Sequence, residues 1–170
     1  MQNPLSLKEN ESKIIERATY KKIKGILFDS FGKDNFDIHT STLNKKLLGE
    51  DNFCIIFEDN SSSKFGIHIT QKVTKQRQWI TDDKAMIFKI TTNGCEDLHR
   101  YKLDKKYSNM AFYLPSKDDE ELLLCGYDDL TIYKNRNKPV DCDGYYFGID
   151  RYLFNGNIFY LHRMIVVKLQ

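Results

Sequence analysis

The sequence predicts a β-rich α+β domain: a two-sheet antiparallel β-sandwich with flanking helices. Three observations carry this reading. Short apolar runs follow one another from Phe53 to Leu169 with polar turns between them. Only two stretches, near residues 9–22 and 43–48, space their apolar residues as a helix does. Regular alternation of strand and helix is missing, which argues against a doubly wound parallel sheet.

At the start, Ser6 and Glu9 have capping-box spacing. Ile14, Ile15 and Ala18 then give a weak apolar stripe on a helix reaching Lys22, free either to pack on the domain or to project from it. The organisation expected is a helical extension over residues 1–24 and one domain over 25–170. Ile26-Leu27-Phe28, closed by Asp29-Ser30, reads as a buried strand. Thr40 or Ser41 can cap a short helix carrying Leu43, Leu47 and Leu48, which Gly49 ends.

The strongest local signal comes next. The apolar run 53–57, the polar turn 58–63 and the alternating Phe65, Ile67 and Ile69 make an antiparallel hairpin. Further strands are expected at 86–90, 110–114, 122–125, 130–133, 145–149 and 164–169. Asn93-Gly94, residues 115–121 and 135–138, and Asn155-Gly156 supply the turns. Gly66 and Gly126 are expected where backbone runs tight or close-packed.

A hydrophobic content of 41% over 170 residues is enough for one real core and excludes global disorder. The longest apolar runs are far too short to span a bilayer. Residues 1–8 lack a basic stretch followed by an apolar one, so the expected location is the cytosol or nucleus. Cys54, Cys95, Cys125 and Cys142 are widely spaced, three of them in apolar or aromatic surroundings. They read as small core residues, with no disulfide and no zinc set expected.

Several chemistries lack their motif. There is no P-loop, dinucleotide fingerprint, nucleophile elbow or His-Glu-x-x-His pair. Asp141, Asp143, Gly144 and Asp150 resemble part of a calcium loop, but Pro139 occupies the first ligand position and Asp150 replaces the last Glu. His39, His68, His99 and His162 are dispersed. No catalytic, metal or cofactor-binding residue is therefore expected, and no cofactor.

Net charge is +2, too small for strong nucleic-acid or membrane attraction unless the cations are segregated. Local clusters do exist. Lys72, Lys75 and Arg77 precede Trp79; Arg100, Lys102, Lys105 and Lys106 are interleaved with Tyr101 and Tyr107; Tyr20, Lys21, Lys22 and Lys24 form a third. Cations between aromatics suit phosphate contact with base stacking, and solvated sheet faces look the same unless several clusters share a face. The acidic run 118–121 reads as a solvated turn.

In order, these segments resemble the TLDc family, the domain of eukaryotic oxidation-resistance proteins. The resemblance covers residues 25–170 and rests on Ile26-Leu27-Phe28-Asp29-Ser30, Phe36, Leu47-Leu48 and the hairpin Cys54 to Gly66. It continues through 83–88, Met110-Ala111-Phe112-Tyr113, Leu124-Cys125-Gly126, Asp129-Leu130-Thr131-Ile132-Tyr133 and Arg163 to Leu169. The Lys- and Asn-rich style is similar to short amoebal members. The resemblance implies a two-sheet sandwich, a role in oxidative-stress resistance and, as in several members, binding to the vacuolar proton-pumping ATPase. Some members have been proposed to use glutamates or a hydrolase-like triad; Glu58 lies in the matching hairpin, while the glycine-rich stretch before the Ile-Tyr strand is reduced here to Gly126. The expected function is thus partner binding without catalysis. Two alternatives stand beside it: a DNA-binding stress regulator using the basic-aromatic clusters, and a cryptic hydrolase.

Overall fold

The hairpin at 53–69 anchors the architecture. Phe53, Ile55 and Phe57 point to one face of its first strand and Cys54 and Ile56 to the other, and all five are buried. A strand buried on both faces must be central, with one layer packed above it and another below.

The structure, a computed structural model, describes residues 7–31, 42–149 and 158–170. Its elements run α1 (Glu9–Thr19), β1 (Ile23–Asp29), α2 (Leu43–Leu47), β2 (Phe53–Asp59), β3 (Lys64–Ile69), β4 (Trp79–Ile80) and β5 (Met86–Thr92). Then come β6 (Cys95–Glu96), β7 (Arg100–Lys102), a 3-10 helix (Lys105–Met110), β8 (Phe112–Tyr113) and β9 (Glu121–Cys125). β10 (Leu130–Tyr133), β11 (Val140–Cys142), β12 (Ile158–Phe159) and β13 (Leu161–Leu169) complete the chain.

Two sheets form, with order β1-β13-β2-β3-β5-β6, β7 also pairing β5, and β12-β11-β10-β9-β8-β4. Every described pairing is antiparallel. The expected β-rich sandwich is the observed fold. Between the sheets lies the larger core, where Phe53, Phe57, Phe65, Ile67 and Val166 meet Phe112, Leu130, Ile132 and Phe159. The outer face of the first sheet carries Cys54, Ile56, Met86, Phe88, Ile165 and Val167, and α1 covers it with Ile14, Ile15 and Ala18.

Helix α1 is tied down by charge as well as apolar contact. The buried Lys64 ammonium donates to Glu11 at 2.7 Å and lies 3.5 Å from Glu58. The Arg100 guanidinium donates to the carbonyls of Ala18 and Arg17 at 3.0 and 2.5 Å, satisfying acceptors left open at the helix end.

At the other edge, Asp29 takes a two-pronged bond from Arg163 at 3.0 and 2.7 Å. Ser30 exchanges bonds with Met164 through its N–H and its hydroxyl oxygen, both at 3.0 Å. These contacts give Asp29-Ser30 and Arg163 a common purpose, locking β1 onto β13.

Several boundaries differ from expectation. Helix α1 stops at Thr19, because Tyr20 adopts φ 57° and Lys22 already pairs with Gln170. Its first turn is closed by Glu11, whose carboxylate accepts the Lys8 N–H at 3.1 Å. The strand expected at 110–114 is only Phe112–Tyr113, because a 3-10 helix occupies the residues before it. That helix starts where the Asp104 carboxylate accepts the Lys106 N–H at 3.0 Å.

The strand expected at 145–149 is a pair of tight turns. Gly144 and Gly148 adopt φ +69° and +66°, and Ile149 N–H donates to the Gly144 carbonyl. Strands β4, β6, β7, β11 and β12 are two or three residues each, below the length at which alternation is readable. Ser6, Phe36, His39, Thr40, Ser41, Asp150 and the Asn155-Gly156 turn lie outside the described residues.

Candidate partner-binding surface

The two sheets differ in how their outer faces are covered. Helix α1 closes the first; among the described residues no helix lies across the second, which presents a row of half-buried side chains. Trp79 pairs with Tyr113, Tyr113 with Leu124 and Leu124 with Thr131 across four strands.

From Trp79 this row continues as a ladder of rings. Trp79 lies 5.1 Å from Tyr113 and 6.3 Å from Tyr127. Tyr127 leads to Tyr146 at 6.2 Å, and Tyr146 to Tyr107 at 4.5 Å and Tyr145 at 5.2 Å. Tyr145 is 73% exposed and Tyr127 48%, large apolar areas to leave in water without a purpose.

Local physics places each rung. Tyr127 sits in the β9–β10 turn at φ 62°, its N–H donating to the Met110 carbonyl at 3.0 Å. Gly126 precedes it at φ +57°, where a Cβ would stand 2.5 Å from Phe147 Cε2. Asp129, in the same turn, accepts the N–H groups of Tyr146 and Phe147 on one oxygen at 2.6 and 3.0 Å, which fixes the loop bearing Tyr145 and Tyr146. Its other oxygen is buried without a partner, and burial pushes this carboxyl up to about 6. At Gly66, in the hairpin, a Cβ would stand 2.5 Å from Phe88 Cζ.

The basic residues divide. Lys72 and Lys75 line a cleft of about 220 Å³ together with Trp79, at one end of the ladder. Lys105 and Lys106 stand exposed on the 3-10 helix at the other end, Lys106 Nζ lying 5.1 Å from the Tyr107 ring centre. Its contact with Tyr107 raises the Lys106 pKa. Arg77 instead faces Asp119 at 3.4 Å, Arg100 holds the end of α1, and Lys102 is exposed on β7 in the other sheet. The third cluster stays apart at the end of α1, where Tyr20 lies under the Arg100 guanidinium. The acidic run packs around the buried Lys134 ammonium, which donates to the carbonyls of Ser116, Lys117 and Asp119 at 3.0, 2.8 and 2.6 Å.

Sequence reading caught Trp79 and Tyr107 beside their lysines but missed Tyr113, Tyr127, Tyr145 and Tyr146. They are scattered along the chain, and only the fold joins them. The one advance signal was compositional: ten tyrosines, more than a core needs.

No chemistry-bearing cluster of comparable order appears among the described residues. None of their His, Cys, Asp and Glu side chains gathers in a group of three that could hold a metal. The Asp150 and Asp141 side chains of the calcium-like loop lie outside the description. His68 stands opposite Cys54 in the hairpin, and its buried Nε2 has no partner there. Burial lowers the His68 pKa to about 4 and drives the Cys54 thiol well above its ordinary value. A neutral imidazole beside a neutral, enclosed thiol lacks the thiolate that nucleophilic attack requires.

No disulfide joins the four cysteines, and only Cys95 is exposed. Cys125 and Cys142 both align with Leu130 from opposite sides, two strands apart, which is about 9–10 Å and too far for a disulfide. No helix of the described residues is long and apolar enough to cross a membrane.

One helix-covered sheet packed against one aromatic, open sheet defines an antiparallel β-sandwich domain. A family model described as the TLDc domain matches residues 8–150, and the chain belongs to the TLDc domain family. The match begins at residue 8 and so includes α1. No curated protein matches the chain.

Proposed function

We propose that this chain is a non-enzymatic TLDc binding module of the oxidative-stress response that docks a protein partner on the Trp79–Tyr113–Tyr127–Tyr145–Tyr146–Tyr107 ladder. The ladder is the observation that carries the reading. Tyrosine and tryptophan dominate interface hot spots because they bury large area at little entropic cost while keeping a polar tip. The stress role comes from the family, and the same resemblance makes the vacuolar proton-pumping ATPase the first partner to test. Such a module acts in the cytosol or the nucleus.

The alternative, DNA binding in stress-dependent transcription, draws on Lys72, Lys75, Lys105 and Lys106 meeting one ladder. Against it, Arg77 and Arg100, the cations best shaped to read bases, are exposed but already engaged by the chain's own Asp119 and by the end of α1.

Co-elution of the purified chain with the isolated peripheral sector of that ATPase is the test. Wild type should co-elute, and the Tyr127→Ala/Tyr145→Ala variant should not. Failure of the wild type removes the ATPase as partner; co-elution unaffected by the double variant removes the ladder as the surface.

A further inference from the structure

The two ends of the ladder carry exposed cations that no carboxylate of the described residues pairs within 4.0 Å. Among the described residues, Lys72, Lys75, Lys105 and Lys106 make no ion pair, whereas Lys64, Lys89, Lys138, Lys168, Arg77 and Arg163 each face a carboxylate within 4.0 Å. Asp104 is near Lys106, but its carboxylate is held by the backbone N–H of that lysine. Between the two lysine pairs the surface is aromatic, and the carboxylates that act on its middle are Asp128 and Asp129, both raising the Tyr146 phenol pKa after burial has done so.

We infer that the ladder receives an extended peptide segment with carboxylates at both ends of a short uncharged, apolar stretch. One acidic end reaches Lys72 and Lys75, the other Lys105 and Lys106, and the apolar middle lies on the rings beside Asp128. This rests on the ladder being the docking surface. The dimensions agree: steps of 6.3, 6.2 and 4.5 Å lead from Trp79 through Tyr127 and Tyr146 to Tyr107, a path that about five residues of extended chain can follow.

Ring geometry favours a peptide over a nucleic acid. Tyr146 stands at 77°, 76° and 89° to Tyr107, Tyr127 and Tyr145, so ring faces are turned against neighbouring edges. A stacking platform for bases needs open faces, while aliphatic and proline side chains pack on edges and phenols equally well. Lysine also offers a point charge, where bidentate phosphate recognition uses arginine.

Trp79 is the only tryptophan, so its emission reports on the ladder directly. The probes are the blocked peptide Glu-Asp-Leu-Pro-Leu-Glu-Asp, its counterpart with Lys replacing each acid, and an oligothymidylate of about eight nucleotides. The acidic peptide should shift Trp79 emission saturably, and the basic one should leave it unchanged. Binding should weaken about tenfold or more in K72A/K75A/K105A/K106A, and again when salt rises from about 50 to about 500 mM. These lysines are exposed, and far-ultraviolet dichroism checks that the variant is folded.

The inference is overturned if the acidic peptide gives no saturable change up to about 5 mM, a range that captures even a millimolar Kd. It is equally overturned if oligothymidylate binds more tightly than the peptide. Should the four-lysine variant hold the ATPase sector as well as wild type while Tyr127→Ala/Tyr145→Ala does not, the docking surface stands and the acidic segment falls.

Discussion

Replacing Gly126 by alanine joins the fold to the surface in one substitution. The glycine has φ +57°, a conformation that costs an L-residue about 1–2 kcal/mol. Its new Cβ would stand 2.5 Å from Cε2 and 3.1 Å from Cδ2 of Phe147, a fully packed ring. Overpacking of that kind costs about 1–3 kcal/mol, so the total is about 2–5 kcal/mol, a large share of a typical domain's stability of about 5–15. Phe147 must move, and Tyr145 and Tyr146 move with it, so the environment of Trp79 changes too.

Urea denaturation followed by circular dichroism gives the stability, and native-state Trp79 emission gives the ladder. Gly66→Ala is the companion: its Cβ meets Phe88 at 2.5 Å and Ile56 at 2.9 Å without a positive φ, so it should cost about 1–3 kcal/mol and leave Trp79 emission unchanged. At Gly25 the added Cβ meets nothing within 4 Å, and Gly25→Ala should not destabilise. A Gly126→Ala protein as stable as wild type, or one destabilised with unaltered native emission, would show that Gly126, Phe147 and the ladder are not coupled in this way.

Three further outcomes follow. Glu11→Ala strands the buried Lys64 ammonium with Glu58 alone at 3.5 Å and should cost about 3–5 kcal/mol in urea, with Glu11→Ala/Lys64→Met recovering much of it. Asp129, raised to about 6, contributes instability above that pH that is relieved as pH falls toward 3.8. His68, lowered to about 4, contributes the opposite: stability rising as pH climbs from about 4 to 6.5. Each is worth about 3–3.5 kcal/mol at most, so they nearly cancel in wild type between pH 4 and 6. Urea midpoints across that range should fall with rising pH in His68→Gln and rise in Asp129→Asn. Thiol titration should find one fast-reacting cysteine, Cys95, in the native protein and four after denaturation, because burial raises the Cys54 and Cys125 thiols well above their ordinary values.

How much was legible depended on the distance between cause and effect along the chain. The 53–69 hairpin, β1, β9, β10 and β13 are runs whose apolar content alone requires burial, and all were readable. Residues 145–149 have the same composition as a strand, yet Asp129, far back in sequence, draws two of their N–H groups into a turn. No local pattern encodes that. The basic clusters were visible, but not that Arg77 and Arg100 would close ion-pair and helix-end contacts while Lys72, Lys75, Lys105 and Lys106 stayed open. The ladder was hidden for the same reason: its rungs come from two strands, a 3-10 helix, a turn and a loop that only the sheet order brings side by side.

The most direct test of partner docking is photo-crosslinking from the ladder itself. A benzophenone-bearing phenylalanine replaces Tyr145, 73% exposed, in intact cells under peroxide stress, with the same group at Tyr160, 52% exposed, as control. Docking on the ladder predicts a discrete protein adduct at 145 that is absent at 160, resists nuclease and disappears when Lys72, Lys75, Lys105 and Lys106 are replaced by alanine. A nuclease-sensitive adduct at 145, or the same adducts from both positions, would contradict it.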